Sequence, residues 1–406
     1  MRSRSRNPVA LLLDEVKKNY EDDIIKIRRE IHSNPELSYK EFETSALVAK
    51  KLRSLGIDVK TKVGGTGVIG LIKGSNPRWV IGLRADMDAL PIGEKVNVPF
   101  RSSNDGVMHA CGHDSHVAML LGAAMVLSNR REELDCSVKF LFQPAEEAGE
   151  RGGARMMMED GAMNNPGVDY VFGLHVRSVT PSGTFCVRPG AVMAAPDSFK
   201  IRILGKSGHG SRPHETVDPI YISAQVINAL QGISGRMMNQ TKPFVISVGS
   251  IHSGSKENII PDEALLSGTI RTLDEQTRKR ALNLVSRVTK RVCTSFGGRC
   301  DVSFEKDPYP ITINDEKATQ RVTTILKSIE GTKTTGMEPV LGAEDFSRFL
   351  QKAPGTFYFL GTKNPRKGCI YPTHSSRFKL DEDIMKYGTV AHALIAMEFL
   401  AGDERA

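Results

Sequence analysis

The sequence has few aromatic residues, no long apolar run and no paired cysteine pattern. Aromatic residues make up 6% of the 406 residues, and apolar runs such as residues 117–127 are far shorter than the ~20 residues that cross a bilayer. The 6 cysteines follow no paired spacing, and the N-terminal residues do not read as a signal peptide. We therefore expect a cytoplasmic protein with no membrane association and no disulfide framework.

The sequence also lacks a long cluster of basic residues, although its net charge is positive. There are 55 Lys and Arg residues against 47 Asp and Glu residues, which gives a net charge of +8. Acidic residues are interspersed among the basic ones along most of the chain. A positive field that attracts carboxylate-bearing substrates explains this excess as well as phosphate binding does. We predict that nucleic acid is not a partner.

Alternating strand and helix patterns indicate an α/β fold that is interrupted by an inserted domain. Apolar residues at helical spacing between residues 9 and 31 predict one N-terminal helix. Residues 1–190 and 308–406 then alternate strands with helices, which predicts a catalytic α/β domain with a central sheet. Residues 191–307 follow the order β-α-β-β-α-β, which is typical of a ferredoxin-like fold. We interpret this segment as an inserted lid or dimerisation domain.

Several polar motifs fall where predicted strands end, the edge at which α/β sheets bind ligands. These motifs are Arg84-Ala-Asp86-Met-Asp88, His109-Ala-Cys111-Gly-His113-Asp114, Glu146-Glu147, Gly173-Leu-His175, Gly342-Ala-Glu344-Asp345 and His374-Ser-Ser. They contain a candidate ligand set for two metal ions, provided that the thiolate bridges them. The set is Cys111, His113, Glu147, His175 and His374. Sulfur and imidazole ligands favour Zn²⁺, with Mn²⁺ or Co²⁺ less suited to the thiolate.

The adjacent carboxylates Glu146 and Glu147 predict a division of labour. Neighbouring residues that leave a strand point in opposite directions, so one carboxylate can bind metal while the other faces the substrate. We therefore predict that Glu147 is a ligand and that Glu146 is the general base for the attacking water.

Several motifs together resemble the M20 metallopeptidase family. Besides the strand-end motifs, the resemblance is carried by Gln143-Pro-Ala-Glu-Glu, Gly205-Lys-Ser-Gly-His-Gly, Pro213-His214, Asn258-Ile-Ile-Pro and Gly268-Thr-Ile-Arg271. Within that family the sequence is similar to the amidohydrolase branch. This branch holds hippurate hydrolases, N-acyl-L-amino-acid amidohydrolases, plant auxin-conjugate hydrolases and thermostable carboxypeptidases. The resemblance covers about residues 31–400.

The resemblance implies the same five metal ligands and the same base, Glu146. It places Asp88 among the catalytic groups, as the residue that orients a metal-binding imidazole. The position two residues before it is Asp86, where the wider family has a histidine, so His113 is expected to replace that ligand. Glu344 lies in a family motif and is expected beside the ligands or in the pocket wall.

The resemblance also implies roles for residues of the inserted domain. His209 matches a lid histidine that reaches across a dimer and stabilises the developing oxyanion. Asn258 and Arg271 match the pair that binds the substrate carboxylate, Arg271 through its bidentate guanidinium. A homodimer or a higher homo-oligomer is therefore expected.

These patterns predict a metal-dependent hydrolase of the zinc type. It would cleave the amide bond to an amino acid with a free carboxylate, at the C-terminus of a peptide or in an N-acyl amino acid. The carboxypeptidase and amidohydrolase (aminoacylase) alternatives share one mechanism and differ in the acyl pocket. A different class of protein stays open as well, namely an inactive binding or scaffold protein that kept the fold and holds nucleic acid through its basic charge.

Overall fold

The computed structural model describes residues 7–75, 78–149 and 151–400. The helices are α1 (Pro8–Asn19), α2 (Glu21–Ser33), α3 (Phe42–Ser54), α4 (His113–Ser128), α5 (Gly153–Glu159), α6 (Pro219–Arg236), α7 (Glu275–Ser295), α8 (Glu316–Lys327), α9 (Ser347–Leu350) and α10 (Met385–Glu398). The strands are β1 (Asp58–Val63), β2 (Gly67–Ile72), β3 (Val80–Asp86), β4 (Ser137–Gln143), β5 (Tyr170–Pro181), β6 (Thr184–Cys186), β7 (Gly190–Met193), β8 (Ala195–Leu204), β9 (Gly208–His209), β10 (Phe244–Ser253), β11 (Ile259–Ile260), β12 (Glu263–Thr272), β13 (Arg299–Phe304), β14 (Thr312–Asn314), β15 (Lys333–Thr335) and β16 (Gly355–Lys363). No helix in these ranges has both the length and the apolar composition that crossing a bilayer requires.

The chain divides into two compact units. The first unit comprises the described residues up to Gly190, residues 313–338 and the described residues from Asp345 onward. The inserted unit comprises residues 191–312 and 339–344. Its main segment ends at residue 312 rather than 307, and the sequence pattern did not indicate that residues 339–344 pack with it. The two prolines at 308 and 310 mark the end of the last strand pattern, whereas tertiary packing decides where the unit ends.

The first unit is built on a mixed eight-stranded sheet. Its strand order is β1-β2-β4-β3-β5-β16-β6-β15. Strand β3 lies parallel to both β4 and β5, and every residue of β3 is buried, as expected for a parallel strand covered on both faces. Because β3, β4 and β5 share one direction, the segments that follow Asp86 and Gln143 emerge at the same edge of the sheet, close to His175 in β5.

Helix α4 packs at the centre of this unit and is buried on almost every side. At Gly122 a Cβ atom would lie 2.7 Å from Cδ1 of Ile24 in α2 and 2.8 Å from Oγ1 of Thr389 in α10. Glycine therefore permits the close approach of three helices.

The prediction of one N-terminal helix is wrong, because the chain forms two. Helix α1 ends at Asn19 and α2 begins at Glu21, while Tyr20 between them has φ −132°. The acidic residues Glu21, Asp22 and Asp23 occupy the first turn of α2, where they favour a new helix start through the helix dipole. Apolar periodicity alone continues across this break.

The inserted unit has the predicted β-α-β-β-α-β order, formed by β8, α6, β10, β12, α7 and β13. Its four-stranded sheet has the order β10-β12-β8-β13, and each neighbouring pair is antiparallel. Buried residues alternate with more exposed ones along β8, so one face packs on apolar residues of α6 and α7. This is the ferredoxin-like arrangement.

Candidate metal centre

A glycine turn places Cys111 and His113 at the start of α4. Gly112 has φ +90°, a left-handed conformation that is strained for residues with a side chain. A Cβ atom at this position would also lie 2.6 Å from Cγ2 of Val176 in β5. Glycine therefore lets the chain turn sharply against β5, with a candidate ligand on each side of the turn.

The structure brings all five predicted ligands together at the carboxyl end of the sheet. The donor atoms of Cys111, His113 and Glu147 all lie within 4.8 Å of one another. Sγ of Cys111 is 3.4 Å from Nε2 of His175, and Nε2 of His374 is 3.2 Å from Oε1 of Glu147.

Asp88 connects two of these ligands to the end of β3. Nδ1 of His113 lies 2.9 Å from the backbone oxygen of Asp88 and 3.3 Å from its Oδ1, which leaves Nε2 of the ring for a ligand. Oδ2 of Asp88 accepts hydrogen bonds from the backbone N–H of Glu147 at 2.9 Å and from Oγ of Ser38 at 2.6 Å. These contacts are those of a residue that positions His113 and Glu147.

Carboxylates dominate the electrostatics of this cluster. Burial lowers the pKa of His113, but the carboxylates of Asp86 and Asp88 outweigh that effect and raise the pKa to about 10. Burial raises the pKa of the Cys111 thiol, and the nearby charge of Glu147 raises the pKa further. The cluster therefore holds protons strongly and favours positive charge.

The residues present fit a divalent metal ion. Nε2 of His113 is buried and makes no hydrogen bond with any described residue, although it lies 3.4 Å from Oδ2 of Asp86 and 4.0 Å from Oε1 of Glu147. A buried polar atom without a partner is unfavourable. Sulfur, imidazole and carboxylate donors around such an atom are the ligand types of transition-metal sites.

His116 is a buried residue of this region that the sequence analysis missed. Its Nδ1 lies 2.5 Å from Oδ1 of Asp86, and its Nε2 accepts the backbone N–H of Val176 at 2.9 Å. Both ring nitrogens are therefore engaged, so His116 fixes the chain directly after His175. Its position one helical turn after His113 on α4 is the sequence signal that could have indicated it.

Arg84 and Asp345 form a second contact that the sequence analysis missed. The fully buried Arg84 donates to Oδ2 of Asp86 and to Oε1 of Gln143, both at 2.8 Å, and to Oδ1 of Asp345 at 3.2 Å. Asp345 also accepts from Nε2 of Gln143 at 2.7 Å and from the backbone N–H of Ala154 at 2.9 Å. This network joins the ends of β3 and β4 beneath the candidate ligands.

The two adjacent glutamates enter different clusters of the first unit. Ala145 has φ +51° and directs the chain into the single turn Glu146–Ala148. A carboxylate oxygen of Glu147 lies with the donor atoms of Cys111 and His113, whereas one of Glu146 lies within 4.8 Å of a carboxylate oxygen of Asp345. Glu146 is buried, with 7% of its surface exposed, whereas Glu147 is partly exposed.

Two of the predicted residues of the inserted unit lie close together. His209 in β9 is paired with Ile259 of β11, and the backbone N–H of Gly210 donates to the backbone oxygen of Asn258 at 2.8 Å. The His209 ring is exposed, and its Nδ1 accepts the backbone N–H of Ser211 at 3.1 Å. The ring proton of the neutral imidazole therefore lies on Nε2.

The other two lie elsewhere in that unit. Arg271 is half-buried near the end of β12, opposite Pro196 of β8. Burial lowers the pKa of its guanidinium, and the charge of Asp197 opposes that effect. Glu344 is buried at the end of the 339–344 segment, directly before Asp345.

Comparisons with known proteins identify the family of this chain. Residues 82–398 match peptidase family M20/M25/M40. The chain is 56% identical over 383 residues to thermostable carboxypeptidase 2 of Saccharolobus solfataricus, which covers 94% of this chain and 96% of that one. It is 39% identical over 362 residues to the N-acetyl-L-cysteine deacetylase of Bacillus subtilis, which covers 89% of this chain and 84% of that one.

A solved structure gives the same result for the fold. The Bacillus subtilis YxeP protein, described as a dinuclear metal binding peptidase from the M20 family, is 35% identical to this chain. The two structures align with a TM-score of 0.83 over 94% of this chain and 99% of that one. The chain therefore belongs to peptidase family M20/M25/M40.

Proposed function

We propose that this chain is a metal-dependent hydrolase that cleaves the amide bond to an amino acid with a free carboxylate. Its substrates are peptides, shortened from the C-terminus, or N-acyl amino acids. The observation that carries this proposal is the cluster of Cys111, His113 and Glu147 around a buried ring nitrogen of His113 that makes no hydrogen bond with any residue in the described part of the chain. The names of the relatives, a carboxypeptidase and a deacetylase, support both substrate types.

The proposed metal ligands are Cys111, His113, Glu147, His175 and His374. When bound, ions at such a site act as Lewis acids towards the substrate carbonyl and lower the pKa of water. We propose zinc because the set combines a thiolate with three imidazoles, and manganese or cobalt are the alternatives.

Glu146 is the proposed general base and acid. Its carboxylate takes a proton from the attacking water and delivers it to the leaving amine. The turn at Ala145 supports this role, because it separates the Glu146 carboxylate from the donor cluster that contains Glu147. Asp88 supports the reaction by positioning His113 and Glu147.

The inserted unit supplies the proposed contacts with the substrate. His209 carries its ring proton on Nε2, since Nδ1 accepts the Ser211 N–H, so Nε2–H is available to donate to a developing oxyanion. Arg271 and Asn258 are the proposed ligands of the substrate carboxylate. Glu344 is proposed as part of the pocket wall.

The alternative of an inactive scaffold protein has no support, because the relatives of this chain carry the names of hydrolases. The homodimer and the cytoplasmic location stay predictions. Size-exclusion chromatography with light scattering measures the first, and cell fractionation measures the second.

Metal removal tests the proposed function. Dialysis against a chelator should abolish hydrolysis of N-acetyl and N-benzoyl amino acids and of benzyloxycarbonyl peptides, because the proposed ligand set would then be empty. Adding Zn²⁺, Mn²⁺ or Co²⁺ back should restore activity in proportion to the bound metal measured by elemental analysis. Full activity in a metal-free preparation would disprove the proposal, and the relative rates on the three substrate types would separate the carboxypeptidase and acylase alternatives.

A further inference from the structure

One short segment before α3 makes hydrogen bonds with residues that precede and follow Glu146 and Glu147 in the sequence. Within residues 38–41, Oγ of Ser38 donates to Asp88 at 2.6 Å, and the hydroxyl of Tyr39 donates to the backbone oxygen of Arg151 at 2.8 Å. The third contact is made by Glu41, whose Oε1 accepts the backbone N–H of Ala145 at 2.8 Å. This segment has no place in the reaction described so far.

Glu41 is a fully buried carboxylate with three neutral donors. Besides Ala145, the backbone N–H of Tyr39 donates to Oε1 at 3.0 Å, and the hydroxyl of Thr66 donates to Oε2 at 2.5 Å. Its exposed fraction is 0%. A carboxylate in such a place is unfavourable unless its hydrogen bonds hold it there, and burial raises the pKa of the Glu41 carboxyl accordingly.

The hydrogen bond between Glu41 and Ala145 lies where the backbone conformation sets the orientation of the Glu146 side chain. Ala145 has φ +51°, a left-handed conformation that a residue with a Cβ atom adopts only when its surroundings impose it. The Glu41 carboxylate accepts a hydrogen bond from the backbone N–H of Ala145. The backbone oxygen of Ala145 accepts one from the N–H of Gly153 at 3.1 Å. The next residue is Glu146, so a change of backbone angle at Ala145 would rotate its carboxylate away from its present position.

We propose that Glu41 is a positioning residue for Glu146, acting through the left-handed backbone of Ala145. The inference rests on the proposed function, in which Glu146 transfers the proton. Glu41 touches neither the proposed ligands nor the substrate in this role. Its effect is to keep the Glu146 carboxylate at the place where it meets the attacking water, which matters because a displacement of about 1 Å can lower a rate about 100-fold.

In this role the length and hydrogen bonds of the Glu41 side chain matter, and its charge does not. Three variants change these properties separately. Glu41→Gln keeps the length of the side chain, so its amide oxygen can still accept the Ala145 N–H while its NH₂ group donates to Thr66. Glu41→Asp keeps the charge, but its side chain is shorter by one CH₂ group. Its carboxylate therefore cannot accept the same three hydrogen bonds. Glu41→Ala removes all three contacts.

The experiment measures kcat, KM and metal content for these variants with an N-acyl amino acid. We expect kcat to fall about 10- to 100-fold in Glu41→Ala and about 10-fold in Glu41→Asp, and to stay within about 3-fold of the wild type in Glu41→Gln. KM and the number of metal ions per chain should stay unchanged. A larger loss in Glu41→Gln than in Glu41→Asp would overturn the proposal, because charge and not geometry would then matter. If Glu41→Ala does not fold, the Gln and Asp variants decide.

Glu36→Ala is the matched control for general loosening of this region. Glu36 also accepts three hydrogen bonds near the start of α3, from the backbone N–H groups of Glu43 and Thr44 and from the Thr44 hydroxyl. None of these three donors belongs to the Ala145 turn. We expect kcat of Glu36→Ala to equal that of the wild type at a temperature where both are folded, and an equal loss in Glu36→Ala and Glu41→Ala would overturn the proposal.

A double variant separates this inference from the proposed function. If Glu41 acts only through Glu146, adding Glu41→Ala to Glu146→Gln should lower kcat no further. A further 10-fold loss in the double variant would overturn the inference while leaving the role of Glu146 intact. Full activity of Glu146→Gln alone would instead remove the proposed role of Glu146 and this inference with it.

Discussion

The candidate functional side chains differ in burial between the two units, apart from the exposed His374 of the first unit and the buried Glu344 of the inserted unit. In the first unit, Asp86, Asp88 and His113 are at most 1% exposed and are connected by contacts between distant parts of the chain. In the inserted unit, His209 and Asn258 are exposed and Arg271 is half-buried. A buried polar group has to be matched by partners, whereas an exposed one is solvated by water. Variants of the proposed metal ligands in the first unit should therefore affect metal binding and rate together, while variants of the inserted unit should affect mainly the response to the substrate.

The largest expected effect tests whether the two adjacent glutamates differ as the first unit suggests. Glu146→Gln should keep its metal and lose roughly 10²- to 10⁴-fold in kcat, the range for a positioned acid or base. Glu147→Gln should instead weaken metal binding, because its oxygen lies in the donor cluster. Elemental analysis after gel filtration and steady-state kinetics measure the two effects. Equal loss of metal in both variants would contradict the assigned division.

The next effect tests the inserted unit through the substrate carboxylate. If Arg271 binds that group, replacing the carboxylate of an N-acyl amino acid by an amide should lower kcat/KM of the wild type about 30-fold to several thousand-fold. This corresponds to a loss of about 2–5 kcal/mol of transition-state stabilisation. Arg271→Ala should remove most of this discrimination, and Arg271→Lys should recover only part of it because lysine lacks the bidentate geometry. Metal content should stay unchanged in both variants. Equal hydrolysis of acid and amide by the wild type would mean that no free carboxylate is recognised.

The difference between the units also explains what the sequence could predict. Candidate ligands at strand ends and the βαββαβ order follow from local patterns, namely residue type, periodicity and the direction of parallel strands. The contact between Asp86 and His116 spans 30 residues, and the contact between Arg84 and Asp345 spans 261 residues. The pairing of such distant residues depends on tertiary packing, so a local pattern can indicate His116, one helical turn after His113, but not its partner Asp86. The split of the N-terminal helix at Tyr20 was missed for a different reason. Two consecutive helices that share one apolar periodicity look like a single helix, although the acidic residues 21–23 mark the new start.

The third prediction compares one arginine from each unit. Arg84 is fully buried and donates hydrogen bonds to Asp86, Gln143 and Asp345. Arg84→Met should lower the free energy of unfolding by about 3–5 kcal/mol, because it leaves buried carboxylates uncompensated. Arg278 in the inserted unit donates two hydrogen bonds to Asp197 and has 18% of its side chain exposed. Arg278→Met should cost about 1–3 kcal/mol.

Urea denaturation followed by circular dichroism measures both losses. Leucine in place of methionine at each position serves as a second variant of different shape, so that an effect of side-chain packing can be separated from the lost ion pair. Equal losses at Arg84 and Arg278 would mean that the two units do not differ in how strongly burial couples their charges.

The smallest effect concerns the pH dependence of stability and compares a buried histidine with an exposed one. His32 lies between two carboxylates, with Nδ1 2.7 Å from Asp114 and Nε2 3.2 Å from Glu94. Burial and the charge of Arg28 lower the pKa of His32, but these two carboxylates outweigh them and raise the pKa above its ordinary value.

Protonated His32 therefore stabilises the folded state. Its contribution is fully present below the unfolded pKa of about 6.5 and is lost as pH rises through the higher folded pKa. His32→Gln removes this dependence, so the difference in unfolding free energy between wild type and variant should shrink as the pH rises above about 6.5. His214→Gln is the control for replacing a histidine with glutamine, because 76% of the His214 side chain is exposed in the inserted unit, and its loss of stability should be small. A difference for His32→Gln that grows with pH would show that this buried histidine is neutral in the folded protein, and the carboxylates around it would then need another source of compensation.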